Sequence, residues 1–228
     1  MSLNLVFAWL VHLYTGSGAV LAFLALLQID QEKYQEAFYL MGLAVLIDAS
    51  DGTLARTAKV KEHIPWFDGD RLEDTIDYLN YVLVPSFFLL RAGLLPQRDA
   101  LWLAALPLLA SAYGFCQREA KTPDHFFLGF PSYWNIVVFY FYVMHTPPWV
   151  NAFVILVLSA LVFVPIRYLY PSRSPVLRGL TVSLGIIWGI MVGMIVYLLP
   201  QPPPYLAAVS LLYPAYYTAL SLWLEFKK

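Results

Sequence analysis

An all-α bundle of membrane-spanning helices is the fold class this sequence predicts, and three observations predict it. Of its 228 residues, 60% are hydrophobic and only 13% are charged, whereas soluble domains carry about 25% charged residues. The apolar residues come in long runs, broken by segments such as Pro147-Pro148 and Pro202-Pro203-Pro204, where proline removes a helical donor. Seven Trp and sixteen Tyr suit the headgroup zone, which favours amphipathic rings. A soluble core of this composition is a poor fit.

A bilayer core about 30 Å thick takes roughly 20 apolar residues per helix. On that scale there are about eight expected spans: 3–27, 35–50, 75–95, 100–116, 126–146, 149–170, 178–199 and 205–224. A six-helix core with two additions accounts for the same pattern. The second span is poor in apolar residues, and the fifth carries Gly129, Pro131 and Asn135. Met1 to Leu10 lacks a basic secretory region, so the first run is expected to be retained. Cys116 is the only cysteine, which rules out an intramolecular disulfide and a thiolate cluster. With no repeat and no long linker, residues 1–228 are expected to form a single domain, without a nucleic-acid partner.

Orientation follows from the basic residues. With a cytoplasmic N-terminus and eight spans, only Lys33, Arg91 and Arg98 fall outside, and the other eleven of the fourteen fall inside. That asymmetry is what the positive-inside rule requires. Both termini and the polar segment Asp48 to Asp77 are therefore expected in the cytoplasm.

That segment carries the chemistry. Asp48 and Asp51 are three apart, Glu73 and Asp77 four apart, so each pair shares one helical face. Two antiparallel helices can bring the pairs together near the membrane edge, where four carboxylates cannot all ionise without cations among them. Oxygen-only ligands favour Mg²⁺ or Mn²⁺ over Zn²⁺. The plainer alternative is that these acids cap helices or decorate a solvated loop. Gly52 and Ala55 are small where a base or ribose needs to approach, and Arg56 offers a fork for phosphate oxygens.

Asp48-x-x-Asp51-Gly52-x-x-Ala55-Arg56, followed by Gly69-x-x-x-Glu73-x-x-x-Asp77, resembles the signature of the CDP-alcohol phosphotransferases. The twelve residues between Arg56 and Gly69 exceed the usual gap and resemble the bacterial phosphatidylcholine synthase branch. His12-Leu13-Tyr14-Thr15-Gly16-Ser17-Gly18, Asp77-Tyr78-Leu79-Asn80-Tyr81 and the stretch Phe126 to Asn135 resemble the same branch. The resemblance implies that Asp48, Asp51, Glu73 and Asp77 hold a pair of metal ions, with Asp77 also the general base. It implies that Gly52, Ala55, Arg56 and Gly69 bind CDP-diacylglycerol. It implies transfer of phosphatidyl to an alcohol with release of CMP, in the bacterial inner membrane, by a homodimer. The family's third acid is aspartate, whereas position 73 is Glu. One extra methylene can disturb a two-metal site, so an impaired relative is an alternative, and the adjacent Asp74 is an alternative ligand.

Choline, the acceptor that the resemblance implies, carries a quaternary ammonium best held by aromatic faces. Tyr78, Tyr81, Tyr133 and Trp134 fall near the cytoplasmic span ends and are the candidates; the interfacial belt is their ordinary alternative role. Serine, inositol or glycerol phosphate are alternative acceptors, although no basic cluster for an anionic acceptor stands out. His12, within the first span, reads as a buried histidine bonded to a neighbouring helix, and Asn80 and Asn135 read as interhelical hydrogen-bonding residues. A cation-coupled transporter would want acids at mid-membrane and interrupted helices in related halves, unlike this edge cluster.

Overall fold

The computed structural model describes residues 3–171, 173–174 and 176–227; Lys228, one of the basic residues counted above, lies outside them. Most of the described residues are helical. A long hairpin of α1 (Leu3–Asp30) and α2 (Tyr34–Thr57) leads into the short α3 (Val60–His63). Next comes a continuous helical rod made of α4 (Gly69–Asp77), a π-helix (Tyr78–Leu83) and α5 (Val84–Arg91). The bundle continues with α6 (Ala100–Cys116), α7 (Trp134–Val143), α8 (Pro148–Leu161), α9 (Arg178–Tyr197), α10 (Pro204–Ser210) and α11 (Leu212–Phe226).

Among the described residues, four helical segments are long and apolar enough to cross a membrane: Leu3–Asp30, Tyr34–Thr57, Arg178–Tyr197 and Pro204–Phe226. Their outward faces are greasy. Phe7, Leu10, Leu13, Val20 and Phe23 on α1, and Ile186, Ile187, Ile190 and Met194 on α9, are all more than half exposed. Such continuous apolar surface has no place in water, and the chain is a multi-pass membrane protein.

Two of the expected spans need correction. The fifth, 126–146, is helical only from Trp134, and the sixth, 149–170, only to Leu161. Their missing ends form an antiparallel pair, β1 (Phe126–Leu128) with β2 (Arg167–Leu169). Gly129 turns the chain out of β1 with φ +81°, and a Cβ there would lie 2.3 Å from the Val162 carbonyl oxygen. No other residue fits that approach. Ser132 also has positive φ, so the segment before α7 cannot be helical.

The core centres on the aromatic group Tyr34, Phe38, Phe88, Phe139 and Tyr142, whose rings pack tilted or edge-on, as ring quadrupoles prefer. Some buried polar groups are paired between helices. Asn80 donates to the Gly18 carbonyl on α1 at 3.0 Å, as expected for it. Asn135 instead accepts from the neighbouring Ile136 N–H, a local bond at the start of α7. The Arg91 guanidinium meets Asp30, so the ends of α1 and α5 share one side of the bundle. The acids lie at the other.

Candidate active site

Packing of α1, α2 and the α4 rod builds the site. Gly18 lets α1 approach α4, since a Cβ there would lie 2.5 Å from the Ile76 side chain. Immediately after Asp77 the rod widens into its π-helix, where the Val84 N–H bonds back to Leu79. Pro85 has no N–H to give the Tyr81 carbonyl, which favours this widening. A π turn rotates the residues beyond it, and such turns gather at functional sites. Here it carries Tyr81, whose hydroxyl donates to Asp48 Oδ2 at 2.6 Å.

Asp48 from α2 and Glu73 and Asp77 from α4 each place a carboxylate oxygen within 4.8 Å of the others. Asp51 stands one turn along α2, buried, its Oδ2 accepting from Thr15 Oγ1 at 2.9 Å; it is not part of the close trio. Glu73, despite its extra methylene, belongs to that trio. Asp74 instead turns to Lys121 Nζ at 3.5 Å, which also lies 3.6 Å from Glu73. Burial raises the Glu73 pKa, the carboxylates of Asp51, Asp48 and Asp74 add to the rise, and Lys121 opposes it. Burial disfavours the Lys121 charge, yet Glu73 and Asp74 outweigh it and hold its pKa above the usual lysine value. An all-oxygen set of this closeness fits a hard divalent cation.

Two cavities meet at these acids. The larger, about 680 Å³, is lined by Gly52, Ala55, Arg56 and Gly69 together with Asp51 and Glu73. Arg56 is exposed there, its guanidinium resting on Thr53 Oγ1 at 3.0 Å. The smaller, about 300 Å³, is lined by Asp48, Glu73, Asp74 and Asp77 on one wall and by aromatic rings on the other. Glu73 belongs to both.

Of the four aromatic candidates, the structure brings two to the smaller cavity. Tyr81 and Tyr133 line it, with ring centroids 6.4 Å apart. Trp134 does not: it is fully buried, its indole N–H donating to Ser111 Oγ at 2.8 Å. Tyr78 points to α6, donating to the Leu108 carbonyl at 2.9 Å and meeting Phe115 edge-on. Sequence reasoning missed Phe127 and Tyr170, which stack at 4.6 Å and line the same cavity. Only the β1–β2 pairing brings them together, and the apolar runs had read as helix. Arg118 and Lys121 also line the cavity.

No family model matches the chain. It is 42% identical over 223 residues to a protein named phosphatidylcholine synthase from Legionella pneumophila, covering 95% of this chain and 88% of that one. A Pseudomonas aeruginosa protein of the same name is 40% identical, over 95% of this chain and 91% of its own. One from Borreliella burgdorferi is 33% identical, over 99% and 97%.

Proposed function

The chain belongs to the CDP-alcohol phosphotransferases, in the phosphatidylcholine synthase branch, and from that premise we propose that it transfers phosphatidyl from CDP-diacylglycerol to choline and releases CMP. One observation carries the site assignment: the Asp48, Glu73 and Asp77 carboxylates converge where a cavity lined by the nucleotide-motif residues meets one lined by aromatic rings.

The donor's cytidine diphosphate lies in the larger cavity, its flat groups against Gly52, Ala55 and Gly69 and its phosphate oxygens toward Arg56. Choline enters the smaller cavity, its ammonium against Tyr81 and Tyr133. Asp77 takes the hydroxyl proton of choline as general base. The oxygen forms a bond to the phosphorus attached to diacylglycerol, the bond from that phosphorus to CMP breaks, and CMP leaves with the electron pair. Asp48, Asp51, Glu73 and Asp77 would hold Mn²⁺ or Mg²⁺, which when bound supply positive charge to the diphosphate and the departing CMP. The product passes into the lipid that surrounds the apolar outer faces. The site faces the cytoplasm of the bacterial inner membrane in this reading, supported by the positive-inside asymmetry. A homodimer belongs to the same proposal and rests on the family resemblance.

Arg118 and Lys121 in the smaller cavity favour a second reading, in which the same reaction uses an acceptor bearing an anionic group. The Tyr81 and Tyr133 rings in the same cavity favour the cationic acceptor. Purified protein in detergent, given CDP-diacylglycerol, Mn²⁺ and a panel of labelled alcohols, tests both. Choline as the best acceptor supports the first reading; serine, inositol or glycerol phosphate ahead of it replaces that reading with the second.

A further inference from the structure

His12 is 8% exposed on α1, and its Nε2 has no hydrogen-bond partner among the described residues. The helix-to-helix bond expected for it is not made. The ring is nevertheless held firmly. Phe67 packs on it at 4.5 Å and Trp9 meets it edge-on at 5.8 Å. Gly69 lies against its edge, so close that a Cβ there would come 2.8 Å from Cε1. This contact gives the motif glycine a concrete task, which is to leave room for an imidazole. The ring lines the larger cavity, alongside Thr15, Asp51, Gly52 and Arg56.

A buried, oriented nitrogen without a partner is costly to keep, and three packing contacts hold this one at the wall of a cavity assigned to a nucleotide. We infer that His12 Nε2 completes its hydrogen bonding with an oxygen of the nucleotide half of the lipid donor, which makes His12 a binding residue for the reaction proposed above. Phe67, from the segment between α3 and α4, packs tilted against the ring, and its side chain turns aside as the nucleotide enters. Thr15, one turn further along α1, is spent on Asp51. His12 therefore serves the part of the ligand that lies outward from the acids.

The inference rests on the nucleotide reading of the cavity, and the test separates the two. Full-length protein in detergent with Mn²⁺ is titrated with CMP by calorimetry, beside steady-state kinetics. His12→Ala is expected to weaken CMP binding about tenfold and raise the KM for CDP-diacylglycerol similarly, with the KM for choline unchanged. His12→Gln, whose amide nitrogen can take the place of Nε2, should retain more affinity than His12→Asn, and it keeps the test usable if the alanine variant unfolds. CMP affinity equal to wild type in His12→Ala, or a loss in His12→Gln as deep as in His12→Asn, overturns the inference. Wild-type protein that does not bind CMP at all overturns the functional reading and the inference with it.

Discussion

The Tyr81 hydroxyl sits 2.6 Å from Asp48 Oδ2, tying the π-helix of the α4 rod to α2 at the point where the acids gather. Hydrogen bonds to charged groups contribute about 1.5–3 kcal/mol. Tyr81→Phe removes this one while keeping the ring in the smaller cavity. It should lower turnover and raise the divalent metal concentration needed for half activity by roughly tenfold. Unchanged metal dependence in that variant would separate Tyr81 from the acid cluster.

Metal removal comes next. The close trio of Asp48, Glu73 and Asp77 offers oxygen donors only, so activity should disappear with EDTA and return on adding Mn²⁺ or Mg²⁺. Undiminished rates after thorough chelation would remove divalent ions from the reaction.

For Asp77 the expectation is sharper. Asp77→Asn keeps the shape and loses the basic oxygen, so turnover should vanish while the helical circular dichroism of the purified protein stays as in wild type. Wild-type turnover in the variant excludes Asp77 as base.

Glu73 reaches Asp48 and Asp77 with the side chain it has, which argues that the surrounding helices accommodate its length. Glu73→Asp should therefore draw the carboxylate back and lower both rate and metal affinity, more with Mg²⁺ than with Mn²⁺, because magnesium demands near-ideal octahedral geometry. Asp74→Ala, which removes a partner of Lys121, should change metal affinity less. If Asp74→Ala abolishes metal dependence while Glu73→Asp is silent, the ligand is Asp74. A rate increase in Glu73→Asp would instead identify Glu73 as an impairment.

Tyr133 and Trp134 are neighbours in sequence with different tasks. Tyr133→Ala should raise the KM for choline by an amount consistent with about 1–2 kcal/mol for a lost cation–π contact. Trp134→Phe should leave that KM unchanged and lower stability by about 1 kcal/mol through the lost bond to Ser111. Thermal melting and choline titration of both variants check the division, and a choline defect in Trp134→Phe reverses it.

The facial pairing of Asp48 with Asp51 and of Glu73 with Asp77 could be read directly, because helical periodicity is local and needs only the spacing. The membrane class was equally legible, since long apolar runs have few other homes. Tertiary structure alone decided the rest. Residues 126–128 and 167–169 read as parts of helical spans, yet they pair as strands across some forty residues, and it is this pairing that delivers Phe127 and Tyr170 to the smaller cavity. Tyr133 stands just before α7 and Trp134 is the first residue of that helix, so nothing in the order Tyr133-Trp134 says which ring lines the cavity and which the core. His12 is the same kind of case: its type and its span were plain, but the absence of a partner depends on what α2 and α4 present to it. Local spacing therefore specifies which side chains share a face, while the surroundings of that face are set by segments distant along the chain.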